Sequence, residues 1–280
     1  MKTVVVTDST AYIPKEILEK YHIQMISLNV VFGNESYQEE VELTTEDFYE
    51  MIKKHEDLPK TSQPAIGNFV ELYENLSREY DAIISIHLSS GISGTYQSAM
   101  SAANMVESAK VLAYDSEISC APQGFYVLEA AKMAQEGKSP EEIIARLDEI
   151  KKSLTAYFMV DDLSHLQRGG RLNSAAAIVG SILQVKPILH FEDKKIVPFE
   201  KIRTRKKALK RIVELLDEEA SKNIPMKAAV IHGNCEEEAI VWKKELEALY
   251  PHVEFDLSYF GPVIGTHLGE GSLGLAWYII

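Results

Sequence analysis

Short apolar runs alternate along this chain with longer stretches whose apolar positions recur every three to four residues, and most apolar runs end in a polar turn. Residues 4–6, followed by Thr7-Asp8-Ser9-Thr10, predict a buried strand opening into a polar loop, with a helix starting near Pro14. Further strands are expected at 26–31, 82–86, 110–114, 155–160, 185–190, 196–199, 228–231 and 253–257. Helices are expected at 45–54, 66–78, 95–105, 140–152, 174–183, 204–220 and 236–249. The helix at Pro140 has the clearest start: Ser139 caps it, proline takes the first turn and Glu142 closes a capping box. The two runs flanking Glu192-Asp193-Lys194-Lys195 predict an antiparallel hairpin and so a mixed sheet in the second half. The alternation is that of an α/β protein. The new apolar run after the charged end of the helix near Lys152 divides it into an N-terminal domain, 1–154, and a C-terminal domain with a mixed sheet, 155–280.

A chain of 280 residues with 46% hydrophobic and 25% charged content has the composition of a globular protein. The net charge of −13 argues against nucleic acid and against more than transient contact with anionic membranes, since both need a basic face. Cys120 and Cys235 stand far apart with no His or Cys at metal-ligand spacing, so neither a disulfide framework nor a metal site is expected. The apolar start stops at Asp8, too soon for a signal peptide, and reduced thiols fit a cytoplasmic setting.

The segment Ser89-Ser90-Gly91-Ile92-Ser93-Gly94-Thr95 joins an apolar strand to a helix, presenting hydroxyls and backbone N–H groups at the positive end of the helix dipole. A phosphate or carboxylate fits such a turn. Without a ligand, it reads as a capped strand-to-helix connection. Thr61-Ser62-Gln63-Pro64 reads alone as a proline-stiffened turn between helices. The stretch from Gly261 to Gly274 carries five glycines, Thr266 and His267 and is expected to be a close-packed ligand loop; a dinucleotide reading of Gly269, Gly271 and Gly274 fails because the chain ends at Ile280. Arg168-Gly169-Gly170-Arg171 and the basic run 201–207 suit an anion or an acidic partner, against the plain alternative of solvated arginines.

In this order, Thr7-Asp8-Ser9, Thr61-Ser62-Gln63-Pro64, the Ser89 to Thr95 turn, Leu166-Gln167-Arg168-Gly169-Gly170-Arg171, Lys186-Pro187-Ile188-Leu189 and the Gly261 to Gly274 stretch resemble, over nearly the whole chain, the DegV family of bacterial fatty-acid-binding proteins, which includes the binding subunits of fatty acid kinase systems. The resemblance implies two α/β domains with one long-chain fatty acid between them and no cofactor. It implies a carboxylate held by Thr61, Ser93 and His267, with Ser62, Thr266 and the backbone amides of Gly94 and Thr95 as neighbours. It also implies that a separate ATP-using kinase subunit makes the acyl phosphate, with Arg171, Arg203 and Arg205 serving that encounter. Ala65 and Glu270 depart from the family's usual serine and proline. Glu270 is expected to raise the pKa of His267.

A competing expectation is a serine esterase. Gly91-Ile92-Ser93-Gly94 approaches a nucleophile elbow, although the spacing is wrong, and Ser93, Asp161 or Asp162, and His267 follow the hydrolase order. Magnitudes favour binding as the main task. Burying about a dozen methylenes gains roughly 10 kcal/mol gross, whereas a charge-assisted hydrogen bond adds about 1.5–3 kcal/mol, so the polar groups chiefly fix where the acid end stops.

Overall fold

Two of the apolar runs, Thr3–Asp8 and Ala82–His87, are buried at every position, as strands covered on both faces must be. The computed structural model describes residues 1–55, 57–172 and 186–280. The first half runs β1 (Thr3–Asp8), α1 (Lys15–Tyr21), β2 (Gln24–Ile26), β3 (Asn29–Phe32), β4 (Glu35–Gln38), α2 (Thr45–Lys54), β5 (Lys60–Ser62), α3 (Ile66–Leu76), β6 (Ala82–His87), α4 (Thr95–Ala103), β7 (Lys110–Asp115), α5 (Ala121–Gln135) and α6 (Pro140–Ser153). The second runs β8 (Thr155–Met159), α7 (Ser164–Arg168), β9 (Lys186–Glu192), β10 (Lys195–Ile202), α8 (Arg205–Ala220), β11 (Met226–His232), α9 (Glu236–Leu249), β12 (Val253–Tyr259), α10 (Pro262–Leu268) and β13 (Leu273–Ile279). The helix expected at 174–183 lies outside the described residues.

Strands from before residue 154 build two sheets and strands from after it build the third. The first is parallel, in the order β2-β1-β6-β7, and the second is a small antiparallel sheet, β4-β3-β5. The third, β10-β9-β8-β13-β11-β12, is antiparallel except where β11 runs parallel to β12, so the expected mixed sheet forms around the expected hairpin. Val4, Val6 and Ile83 face α3 and α4, while Val5, Ile84 and Ile86 face the opposite way into a larger core. That core continues through Phe125 of α5 to Phe158 and Tyr278 of the third sheet, whose other face is covered by α8 and α9. Helix α5 therefore lies between the parallel sheet and the mixed one, touching β1 and β6 on one side and β11 and β13 on the other.

Three expectations need correction. The run at 26–31 is two strands in different sheets, β2 pairing with β1 and β3 with β4 and β5. Thr61 and Ser62 belong to strand β5, with Thr61 opposite Val30, rather than to a turn. The glycine-rich stretch from Gly261 is a fully buried helix, α10, followed by β13, rather than a loop.

Candidate functional site

In the parallel sheet, β1 leads to β2 on one side while β6 leads to β7 on the other. The carboxyl ends of β1 and β6 therefore flank a topological switch point, the usual place for a ligand crevice in such sheets. Asp8 ties these two ends together. Its Oδ1 accepts from the Thr10 amide (3.1 Å) and hydroxyl (2.6 Å), and its Oδ2 accepts from the Leu88 amide at 3.0 Å. The turn after β6 is then fixed from outside: Ser89 Oγ donates to Lys194 O at 2.6 Å, and Ser90 donates through its amide and hydroxyl to Asp115. A side chain at Gly91 would collide with the Lys194 carbonyl, so the hairpin between β9 and β10 seats directly on this turn. The first half of the expected anion turn is thus spent on structure.

Beyond it opens a cavity of about 320 Å3, within the range of roughly 300–1,000 Å3 common for small-molecule pockets. Apolar side chains from both large sheets line it, among them Leu88, Ile118, Phe158, Phe191 and Ile231, with Ile264 from α10. Its polar lining is grouped. Thr61 Oγ1 and His267 Nε2 are 2.9 Å apart, Ser93 and Gly94 face the same space, and Gln63 packs so closely on Gly94 that a side chain there would strike its amide. Arg171 joins them, its Nε donating to Ile92 O at 3.2 Å and its Nη1 to Gly169 O at 2.5 Å. Thr61, Arg171 and His267 also line a cleft of about 670 Å3 that carries polar groups such as Asp57, Lys60 and Arg168, so they stand between the apolar cavity and a more polar space.

His267 is held by its helix. The buried Glu39 accepts from Val263 N (2.6 Å) and from the Tyr12 hydroxyl (2.9 Å), which itself accepts from Ile264 N (3.2 Å). Burial, then the nearby Arg171 guanidinium and, least, the His165 imidazole, pushes the His267 imidazole down to about 3. The expected rise caused by Glu270 is therefore wrong: Glu270 is exposed and occupied, accepting from Asn234 at 2.6 Å and pairing with Lys53 at 3.2 Å. Nδ1 of His267 is buried without a partner among the described residues. A buried N–H without an acceptor is rarer than an unsatisfied acceptor, so the proton belongs on Nε2 and is donated to Thr61. The Thr61 hydroxyl keeps its own proton for a ligand.

The other expected site residues are placed as follows. Ser62 lines the cavity from an exposed position. Ser93 Oγ lies 2.9 Å from Thr95 Oγ1 and accepts weakly from the Thr95 amide at 3.3 Å. Thr266 Oγ1 donates to Pro262 O within its own helix and lines the polar cleft, not the apolar cavity. Arg203 is exposed. Arg205 is taken up by the fold, donating to Glu238, Asp161 and Gly271 O. Arg171, expected at a partner surface, stands in the cavity wall. The esterase relay is not assembled: Ser93 bonds to Thr95 and His267 to Thr61, Asp161 pairs with Lys186 and Arg205, and Asp162 accepts from Ser164. A Ser–His–Asp chain does occur at Ser85, His87 and Asp8, but all three are wholly buried in the parallel sheet, away from the cavity.

Gln63 and the apolar lining were not singled out from sequence. Gln63 was visible only as part of a turn motif, and the lining depends on which strand faces meet, which no linear pattern reveals.

The chain as a whole resembles known proteins. The profile of the family described as "Uncharacterised protein, DegV family" matches residues 2–279. The chain belongs to the DegV family. Protein DegV of Bacillus subtilis is 65% identical over 278 residues, covering 99% of each chain. The crystal structure of that protein, described as a fatty acid binding protein, superposes with a TM-score of 0.95 over 100% of both chains at 64% identity. A DegV family protein of Thermus thermophilus, whose structure is described as showing fatty acid binding, gives 0.94 over 100% of both at 28% identity. The matched range spans the segments that carry Thr61, Ser93 and His267.

Proposed function

We propose that this protein binds one long-chain fatty acid, its alkyl chain in the cavity between the sheets and its carboxylate against Thr61, Ser93 and Arg171. The observation that carries the reading is that Ser62, Gln63, Ser93 and Arg171 share the cavity wall with the Thr61–His267 pair, while most of the remaining lining, Ser119 and Tyr157 apart, is apolar. Relatives described as fatty acid binding proteins support it. His267 acts through Thr61, orienting its hydroxyl, while Ser62 and the Gly94 amide complete the donor set and the Thr95 amide, expected beside them, donates to Ser93 instead. Arg171 supplies the positive charge a carboxylate needs when it leaves water. The acyl chain contributes most of the affinity and the polar cluster fixes the position of the reactive end.

The protein performs no bond chemistry alone in this reading. Working in the cytoplasm, it presents the carboxylate across the polar cleft to an ATP-dependent kinase subunit, which makes the acyl phosphate. Arg203, exposed beside the helix α8 entry, suits that encounter; Arg205 is committed to its own fold.

Mass spectrometry of a denatured extract of the protein purified gently from a bacterial host tests the binding: a long-chain fatty acid is expected, and its absence contradicts the reading. With a kinase subunit and ATP, Arg203→Ala is expected to lower acyl phosphate formation while leaving fatty acid retention unchanged; loss of retention overturns that assignment.

A further inference from the structure

The apolar cavity meets polar space at a second place. Ile118, Ala156, Tyr157 and Phe191 line both it and another cavity of about 280 Å3. None of these four belongs to the carboxylate cluster, which borders the polar cleft instead through Thr61, Arg171 and His267. An acyl chain anchored at Thr61 therefore has a polar niche against a different part of its path.

Lys151, Lys194 and Glu117 of that niche are already matched. Lys151 Nζ donates to Asp115 O at 2.8 Å and to Glu117 at 3.2 Å, and Lys194 pairs with Asp115 at 3.0 Å and with Glu117 at 3.6 Å. Asp193 adds a further negative charge to the lining, and burial lowers the pKa of His190 there, keeping the imidazole neutral. A second carboxylate would be unwelcome. Tyr126 of the same lining is fully buried, and its hydroxyl has no hydrogen-bond partner among the described residues. Its ring packs against that of Tyr114, with centroids 5.7 Å apart. Buried hydroxyls in folded proteins are almost always paired.

We propose that this niche is a subsite for a neutral oxygen-bearing group on the part of the acyl chain remote from the carboxylate, with Tyr126 as its hydrogen-bond partner and hydroxylated fatty acids as the ligand class. The inference rests on the fatty-acid reading above. In an entirely apolar tunnel a distal hydroxyl is penalised because it loses water without replacement; here Tyr126 replaces the water.

The test measures dissociation constants of hexadecanoate, ω-hydroxyhexadecanoate, hexadecanedioate and a hydroxystearate series with the hydroxyl moved stepwise from mid-chain to the terminus, for the wild-type protein and Tyr126→Phe. The wild type is expected to bind at least one hydroxylated acid as tightly as its unsubstituted parent and to discriminate against the diacid. Tyr126→Phe is expected to weaken that hydroxylated acid roughly two- to tenfold, the range of one neutral hydrogen bond, with hexadecanoate unchanged. If every hydroxylated acid is disfavoured to the same degree in both proteins, the subsite is refuted while the fatty-acid reading stands. Failure of hexadecanoate itself to bind overturns that underlying reading.

Discussion

The Thr61 hydroxyl has one proton and two lone pairs, and the Nε2–H of His267 takes one lone pair. A carboxylate then accepts a hydrogen bond from the Thr61 hydroxyl, which is why Thr61→Val is expected to weaken fatty acid binding roughly tenfold to a hundredfold, the worth of a hydrogen bond of about 1.5–3 kcal/mol to a charged group; titration calorimetry with hexadecanoate checks this. The imidazole works here as a neutral group. Its folded pKa of about 3 lies below the usual 6.5, so it stays uncharged in the fold while the unfolded chain takes up a proton as pH falls below 6.5. Its contribution to stability is fully present above pH 6.5 and declines on acidification towards 3. Urea midpoints across that range are expected to fall less steeply for His267→Gln than for the wild type. Gly169 belongs to the same unit: a side chain there would collide with Nδ1 of His267, so Gly169→Ala is expected to displace the imidazole and weaken binding even though residue 169 donates nothing to the ligand.

At the scale of elements, α10 owes its position to Glu39. This carboxyl is wholly buried and its pKa is pushed up to about 8, burial outweighing the donors Ser9, Val263 and Tyr12. A group raised in this way stabilises the fold fully below its unfolded value of 4.5, and the contribution is lost as pH rises through about 8. Thermal melts are expected to show Glu39→Gln gaining on the wild type between pH 7 and 9, a range about the folded pKa of about 8; a constant difference would refute the assignment. The elements legible in the sequence were those with one buried face or a full strand's worth of apolar residues, such as β1, β6, α6 and α9. Helix α5 was not, because it is packed between two sheets and buries Gln123, Phe125, Tyr126, Val127 and Ala130 in succession, leaving no polar stripe to mark its period. Strand β5 escaped because its three residues, Lys-Thr-Ser, are polar and pair only at one edge of a small sheet. The hydroxyl, glycine and histidine positions of the site stood out in their segments. Arg171 was visible as a basic residue but not as a cavity residue, since only the approach of Gly169 to His267 brings it inward.

At the scale of the molecule, the cavity exists because two sheets of different make share the α5 layer without filling the space beyond its first turn, where Cys120 and Pro122 line the wall. The parallel sheet contributes the turn with Ser93, the small sheet Thr61, and the segment between the last two strands of the mixed sheet His267. No helix among the described residues is long and apolar enough to cross a membrane. A crystal structure of the protein grown with hexadecanoate tests the central claim most directly. The carboxylate is expected within hydrogen-bond distance of Thr61 and Ser93, the alkyl chain running between Leu88, Phe158 and Phe191, and His267 still bonded to Thr61. A chain lying outside this cavity, or one entering it with the carboxylate at the opposite end, would contradict it.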